Sequence, residues 1–595
     1  KPLREGWQKV AQPVGLAGST IVRKSKAVGR ATVLLCKQPS LALKGIKHVR
    51  QFGVRQAISR LREISVPNSH YFNDAPLTLD GNALAILTTA HCHYLAELMQ
   101  DALAKVGINA IIIHNRPANG FSDVLHFVIC PQMFKRLPKL YVAYQMEQSV
   151  SSRWFTPEYF EQLNSAYAVF DYSQKNIAFL QQEGMNYKQL YYLPVGYKAP
   201  TQLPARQEKI DVLFYGDVNN DRRKAYISAL RKEFSVNIVS NLFGEALYAE
   251  MAKAKVVVNI HYYTGALLET TRLYECLSQQ QIVVSEEGCD MEEHAALRDL
   301  VDFVPVNDIP TMVERVRYWV EHDERRAERR VQQLELSEKK PNLFEFYFFR
   351  FLLASELISY EQFYEVAAQH IHFKGDFVCL GLPETVERRA DFDKDNQYGI
   401  EYFPGLRHSL GWVGCGLSYK FLLQRAQDLS LPRITICEDD AEFYANFAER
   451  YSQVLAYLDS QDNWDVFAGL IAQLHDELAI QECDQVDNER YLFIDKMVSM
   501  VMNVYSSRFY PKLLAWDPTN HDADTNTIDR FIEQHEEVLA ITTPDFLVGH
   551  KEELNSTLWG INNKSYAQMI ADSETKLRQK LIEYDNAVQP EHATS

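Results

Sequence analysis

The sequence predicts an α/β protein of two lobes followed by a separate α/β domain. Three observations lead there. From about residue 81, short apolar, β-prone runs alternate with helical stretches, the pattern of parallel strands covered by helices. The alternation restarts after Pro204 and again at Asp376. At 595 residues, 46% hydrophobic and 24% charged, the chain has ordinary globular composition and exceeds one core, so two to four domains are expected.

The first series opens with Ala83-Leu84-Ala85-Ile86-Leu87-Thr88 as a buried strand, a helix from His93 to Val106 and a strand at Ala110-Ile111-Ile112-Ile113. Apolar runs at Val124–Ile129, Leu140–Tyr144 and Ala166–Phe170 continue it. The second series begins with Ile210–Tyr215, a strand ending in Gly216. A helix over 222–234 and strands at Val236–Val239, Val256–Ile260 and Ile282–Ser285 complete it. The aromatic-rich, glycine-free stretch 341–367 reads as a closing and connecting helix. The third unit starts at Asp376-Phe377-Val378-Cys379-Leu380 and runs to about 562. The expected organisation is a basic arm (1–80), two lobes (81–200 and 201–340), a helical connector (341–372), the α/β domain (373–562) and a helical tail (563–595).

No stretch approaches 18 apolar residues, so no membrane-spanning helix is expected. No apolar signal-peptide core opens the chain, and its start at Lys1 rather than Met reads as a trimmed or excised chain. The nine cysteines are scattered, odd in number and without a CxxC pair, which fits a reducing cytoplasm and gives no expectation of zinc. Residues 1–63 carry fourteen Lys/Arg against Glu5 and Glu63. That net of +12, in a chain of −16, leaves −28 on the remainder. Apolar residues from Ile46 to Leu61 recur at helical spacing within the arm, a pattern suited to an anionic membrane face or to packing on the acidic body. Nothing resembles a helix-turn-helix, a zinc finger or an RNA-binding aromatic motif, so nucleic acid is not an expected partner.

The most informative stretch is Ile436-Cys437-Glu438-Asp439-Asp440. Three carboxylates directly behind a strand require a counter-charge, and Mn²⁺ or Mg²⁺ is the usual one because hard cations prefer carboxylate oxygen and keep positions open for phosphate. Glu438, Asp439 and Asp440 are therefore the expected metal ligands. Gly216, with Asn219, Arg222, Arg223 and Lys224 opening the next helix, reads as a diphosphate cradle. Glycine permits close backbone approach, and a helix start favours anions. In the first lobe His91 and Glu147 follow strand ends, where ligands of α/β sheets bind, and are candidates for acceptor contact or base. Asp171 follows the next strand and reads as structural.

Around the triplet the pieces fall in an order that resembles glycosyltransferase family 25, the lipooligosaccharide-type galactosyltransferases. Phe377–Leu380 with Glu387-Arg388-Arg389, Gly414-Cys415-Gly416-Leu417-Ser418, Glu438-Asp439-Asp440, Trp464-Asp465-Val466, Thr527-Ile528-Asp529 and Pro544–His550 with Ser556 carry the likeness over about 376–560. Tyr419 stands where that family usually has His. The resemblance implies a GT-A-like domain with a mixed sheet, a cation on the triplet and UDP-galactose as donor. Arg388 and Arg389 would then clamp phosphates, and Asp465 or Asp529 would accept the acceptor's proton.

Residues 81–340 resemble a GT-B, group 1-like glycosyltransferase of two Rossmann-like lobes, most strongly in Leu267–Leu277 with Gln281–Ser285. That likeness implies Glu275 on the ribose hydroxyls. The usual preceding Glu is Leu267 here, with Glu269 or Arg272 as substitutes. Together the resemblances imply a bifunctional nucleotide-sugar hexosyltransferase building a bacterial surface polysaccharide such as O-antigen or capsule. It would act on a glycan or lipid-linked glycan, in the cytoplasm or peripherally on the inner membrane. Two alternatives stay open: only the family 25-like module is catalytic, or the chain is a non-enzymatic glycan-binding scaffold.

Overall fold

The computed structural model describes residues 83–150, 153–199, 203–339, 342–535, 537–557 and 562–588, so the basic arm lies outside the described residues. The chain divides into two compact units. The first reaches to Leu352 and takes in Glu356–Ile358, and the second comprises Leu353–Ser355 and everything from Ser359 onward. The expected connector is thus split: the Leu343–Ala354 helix belongs mainly to the first unit and the Tyr360–Ala367 helix to the second.

The first lobe of unit 1 is a six-stranded, all-parallel sheet of β1 (Ala83–Leu87), β2 (Asn109–Ile113), β3 (His126–Ile129), β4 (Tyr141–Gln145), β5 (Val169–Asp171) and β6 (Leu190–Tyr192), in the order β2-β1-β3-β4-β5-β6. β3 and β4 are buried along their whole length because helices cover both faces, which is why they read as unbroken apolar runs. The Leu343–Ala354 helix returns to this lobe. Phe348 and Phe351 meet Phe127 and Phe170 at ring separations of 4.7–6.2 Å, and Glu345 takes Lys105 Nζ at 2.6 Å.

The second lobe repeats the plan with β7 (Ile210–Tyr215), β8 (Val236–Val239), β9 (Ala254–Asn259), β10 (Ile282–Glu286) and β11 (Asp302–Val304), all parallel, in the order β11-β10-β9-β7-β8. Both sheets are Rossmann-like, and both reverse winding once, between β1 and β3 and between β7 and β9. In open parallel sheets the crevice beyond the strand ends at this switch point is where ligands bind.

Unit 2 is built on a mixed sheet of eight strands. They are β12 (Phe377–Gly381), β13 (Glu401–Pro404), β14 (Arg433–Glu438), β16 (Val466–Ala468), β17 (Ile480–Val486), β18 (Glu489–Ile494), β19 (Met502–Ser506) and β20 (Ala540–Thr542), in the order β13-β12-β14-β19-β16-β20-β18-β17. β12, β13 and β14 run parallel, whereas β19 is antiparallel to both β14 and β16. A small ribbon pairs β15 (Ala441–Phe443) with β21 (Val548–His550), with Ala441 opposite His550. That register brings the chain's closing strand beside the carboxylate triplet.

The tail is helical as expected over its described residues. Its Lys564–Val588 helix packs on unit 2, where Ser573 Oγ accepts from Leu474 N and donates to Ala472 O, Leu577 and Leu581 are buried, and Arg490 pairs with Asp585. Among the described residues no helix is long and apolar enough to cross a membrane.

Gly416, on the Gly411–Asp428 helix, faces the fully buried indole of Trp516, which donates through Nε1 to Asn526 O at 2.9 Å. A Cβ at this position would fall inside the indole. Ala is the better helix former by about 1 kcal/mol, but overpacking a filled core costs about 1–3 kcal/mol. Gly416→Ala is expected to lower the stability of unit 2, read as a lower urea midpoint at unchanged slope; equal or higher stability would show that the indole has room to move.

Candidate functional site

In unit 2, β14 delivers Glu438 to the rim of a cavity of about 770 Å³ and the turn that follows carries Asp439 and Asp440. Asp439 turns inward to Arg388 on the Val386–Asp395 helix, whose Nε donates to Asp439 Oδ1 at 3.0 Å and whose NH2 reaches both Asp439 and Asp440, the latter at 2.9 Å. Asp440 turns toward the cavity, with Oδ2 3.3 Å from His550 Nε2 and accepting Asn563 Nδ2 at 2.9 Å.

Of the three expected ligands, Asp440 and Glu438 line the cavity, and the help expected from Asp439 is corrected. Asp439 is taken by a guanidinium, and among the described residues the triplet does not form a cluster of mutually close donors. Asp440 Oδ1, His550 Nδ1 and Asn563 Oδ1 are buried without a hydrogen-bond partner and belong to residues lining the cavity. A carboxylate, an imidazole and an amide, each with a buried unpartnered atom, are donor types suited to a divalent cation, so the residues lining the cavity fit one at Asp440.

Electrostatics divides the triplet further. Burial, then the charge of Asp440, pushes Glu438 up to about 8. Against the burial that raises it, Arg388 and then His550 hold Asp440 well below the ordinary carboxylate range. Asp440 is the charged member, and Glu438 is a cavity-facing acid that holds its proton at neutral pH.

The other residues expected in this unit separate cleanly. Asp529 lines the cavity at the start of the Ile528–Glu533 helix and, among the described residues, accepts its neighbour's amide, Arg530 N at 2.9 Å. Asp465 does not line it: its carboxylate is fully buried, held by Lys512 Nζ and Leu539 N, both at 2.9 Å, so it is a structural ion pair and not a base. Arg388, expected as a phosphate clamp, is the counter-charge of Asp439 and Asp440 instead. Arg389 lies over Tyr402 at 3.6 Å and bonds Asp393. Tyr419 is buried and donates to Met500 O, so the departure from His at that position does not touch the cavity. Of the loop His521–Asp524, only Ala523 and Asp524 reach the rim. Sequence reasoning missed His550 and Asn563 as site residues; no local pattern marks them, and only the β15–β21 register and the tail helix bring them in.

In unit 1, the second-lobe crevice lies where β7 ends at Gly216, whose φ of 132° favours glycine. The basic residues that follow are mostly engaged. Arg222 forms a bidentate pair with Glu286, including NH1 to Oε2 at 2.7 Å, and Arg223, 4% exposed, holds Ile260 O and Asp217 O at 2.9 Å and Glu269 at 3.3 Å. Their expected role as a phosphate cradle is thus corrected to bracing the loops of the switch point. Lys224 is exposed beside Asp221. Arg272, on the Thr270–Ser278 helix, lies nearest Gly216 and stacks over Tyr215 at 4.9 Å. Glu269 stands 3.1 Å from it. Burial pushes Glu269 up, but Arg272, His261 and Arg223 together hold it well below the usual range.

Glu275 faces the hydroxyls of Tyr215 and Tyr248 at 3.3 and 3.4 Å, and burial lifts it to about 7. Leu267 is fully buried.

The first-lobe crevice gathers His91, Cys92 and Glu147, joined by Cys130 from the end of β3. Cys92 Sγ is 3.6 Å from Cys130 Sγ; that hydrogen bond, and then the one with His91, bring the Cys92 thiol down to about 5 despite burial. Glu147 accepts Gln132 Nε2 at 2.8 Å and is raised by burial. Asp171 is buried among Ser173 N, Gln145 Nε2 and Asn176 Nδ2, a structural role.

No protein-family model and no curated protein matches the chain. Among solved structures, S. aureus TarM, as a mutant crystallised with fondaparinux, alpha-GlcNAc-glycerol and UDP, is similar at 14% identity over 40% of this chain and 55% of its own, with a TM-score of 0.28. An alpha1,3-fucosyltransferase is similar at 12% identity over 51% of this chain and 94% of its own (TM-score 0.29), and Anabaena HepE with UDP and glucose at 12% over 43% and 94% (0.30). The chain spans about half the length of the TarM chains it matches, 51% and 55%. Likeness at this level assigns no activity.

Arg388 bonds Asp439 and Asp440 at once, and removing one member of a buried ion pair costs about 3–5 kcal/mol. Arg388→Met is expected to lose stability of that order at pH 7 by urea unfolding. Asp440, held low in the native protein, contributes stability above its ordinary value of 3.8 that is lost as pH falls. The deficit of the variant should accordingly hold from pH 7 down to about 4 and shrink only below that, as Asp440 takes up its proton, and a small deficit at pH 7 would exclude Arg388 as the counter-charge.

Proposed function

We propose that the protein is a nucleotide-sugar-dependent glycosyltransferase whose metal-assisted site is the unit 2 cavity. The observation that carries it is the set of orphaned buried donors, Asp440 Oδ1, His550 Nδ1 and Asn563 Oδ1, around a cavity that also presents Asp529. A cavity of about 770 Å³ is of the size that takes a sugar nucleotide or part of one with its acceptor. Asp440 and His550 would hold Mn²⁺ or Mg²⁺, which when bound supplies positive charge to a departing diphosphate. Asp529, cavity-lining and with one carboxylate oxygen unspent on Arg530 N, would accept the acceptor hydroxyl's proton as that oxygen bonds the anomeric carbon. Glu438, raised by burial and by the charge of Asp440, would face the substrate from the cavity wall.

Unit 1 supports a second, metal-free donor site of GT-B type. Its components are Glu275 for ribose hydroxyls, and Gly216 with Arg272 for diphosphate at the switch point of the second lobe. His91 or Glu147 in the first lobe would face the acceptor. The finer reading is a bifunctional hexosyltransferase that uses UDP-galactose in at least one site. It would extend a glycan or lipid-linked glycan of a bacterial surface polysaccharide, O-antigen or capsule, on the cytoplasmic face of the membrane, with residues 1–63 bound to anionic lipid. An alternative is favoured by the engagement of Arg222 and Arg223 in internal pairs and by Leu267: unit 2 alone is catalytic, and unit 1 binds acceptor.

The test compares Asp440→Ala and Glu275→Ala for hydrolysis and transfer across a panel of nucleotide sugars, with and without EDTA. Two sites predict that Asp440→Ala removes an EDTA-sensitive activity by about 100-fold or more while an EDTA-resistant activity, lost in Glu275→Ala, survives. Loss of everything in Asp440→Ala alone would establish the single-site alternative, and no nucleotide-sugar turnover or binding by the wild type would leave only a glycan-binding scaffold. For the arm, deletion of residues 1–63 is expected to abolish flotation with anionic liposomes; retained flotation would refute the membrane reading.

A further inference from the structure

The switch point of the first lobe carries two thiols, Cys92 and Cys130, that neither proposed transferase site uses, beside the imidazole of His91. Here β1 runs into Thr89-Ala90-His91-Cys92 and β3 runs into Cys130, so the crevice walls supply one imidazole and two thiols. One donor atom from each of His91, Cys92 and Cys130 lies within 4.8 Å of the other two. Cys92 and Cys130 are 5% and 3% exposed and His91 opens to the crevice, so the cluster is buried on its sulfur side and accessible on its nitrogen side.

The spacing distinguishes two uses of such a pair. A disulfide needs its sulfurs about 2.05 Å apart, whereas two thiolates on one tetrahedral zinc ion, each at about 2.3 Å, stand about 3.8 Å from each other. The observed Sγ–Sγ distance of 3.6 Å is close to the tetrahedral edge and far from a bond. Cys130 reaches this position through a left-handed backbone, φ 55° and ψ 61°, a conformation uncommon for a non-glycine residue. Such local strain concentrates where a side chain is being aimed. Thr89 Oγ1, 2.9 Å from His91 Nδ1, orients the ring, the usual arrangement behind a metal-ligating histidine.

We infer that His91, Cys92 and Cys130 form a binding site for a thiophilic divalent cation of the zinc class at the first-lobe switch point, with a fourth position open to water or a ligand in the crevice. The donor set selects against Mg²⁺ and Mn²⁺, which the oxygen-rich cavity of unit 2 suits, so the two units would hold different metals. Binding releases the thiol protons to solvent as the two sulfur–metal bonds form, without any change of oxidation state. The site does not depend on the transferase reading, and its test does not require turnover.

The experiment uses the full chain, reduced and stripped of metal, in an Asp440→Ala background so that the unit 2 cavity does not compete. Zn²⁺ is titrated against a chromophoric chelator, and Cd²⁺ is titrated while following the ultraviolet thiolate-to-metal charge-transfer absorption that only sulfur ligation produces. One equivalent of tightly bound Zn²⁺ with that absorption is expected. Cys92→Ser and Cys130→Ser should each weaken it by about 100-fold or more and remove absorption, Thr89→Val should weaken it by about tenfold, and Cys289→Ser, an exposed thiol elsewhere, should change nothing. Circular dichroism of each variant checks that it is folded. Zn²⁺ binding that is unaltered in both cysteine variants would overturn the site, as would a Cys92–Cys130 disulfide in protein isolated without reductant together with no metal uptake after its reduction.

Discussion

Two adjacent buried carboxylates cannot both stay charged in a low-dielectric interior unless something positive sits between them, and in unit 2 that something is Arg388. Its guanidinium spans Asp439 and Asp440, and its other terminal nitrogen holds Asn555 O, so one side chain fixes the end of β14, its own helix and the loop after β21. A guanidinium suits the task because its planar fork bonds two carboxylates at once and stays charged when buried. The rest of the cavity follows from this choice. With Asp439 neutralised internally, Asp440 is free to turn its unpartnered oxygen outward, and the β15–β21 pairing then sets His550 against it.

Unit 1 meets the same constraint with a different arrangement. The second-lobe switch point concentrates Arg222, Arg223 and Arg272 against Glu269 and Glu286, each guanidinium matched to a carboxylate, with both acids held low by those partners despite burial. Such a network braces the loops after β7 and β9 but leaves little uncompensated positive charge. Arg272 differs in sharing Glu269 with Arg223 while lying beside Gly216.

How much of this the sequence discloses depends on the range of the interaction. Strands buried on both faces, such as β3, β4 and β9, are continuous apolar runs and are legible directly. The triplet at the end of β14 is legible as a charge problem, because three acids in a row are local. Its solution is not, since Arg388 is 51 residues away from Asp439 and Asn563 is 123 away from Asp440. The same distance effect misdirects the reading of Arg222 and Arg223. Beside a glycine at a helix start they resemble an anion cradle, and only the folded chain shows Glu286 and Glu269, 64 and 46 residues on, already occupying them. Asp465 fails as a base for a related reason: beside its strand it reads as a candidate carboxylate like Asp529, but Lys512 and Leu539 close over it. Short strands such as β6 and β11, three residues each, carry too little periodicity to be read at all.

Long range also explains why the thiol cluster is invisible to spacing rules. Metal sites recognised from sequence depend on ligands on one turn or hairpin, as in CxxC, where local geometry fixes their separation. Cys92 and Cys130 are 38 residues apart and meet only because β1 and β3 are neighbours in the sheet although β2 comes between them in the chain. The winding reversal that opens a crevice is thus the same event that makes its two walls come from sequence-distant segments. In a doubly wound sheet the residues best placed to act together are those that motif searches are least able to join, and the second lobe obeys the same rule with Gly216 after β7 and His261 after β9. Sequence reading of such proteins gains most from predicting strand order first, then asking which side chains follow the two strands that flank the reversal.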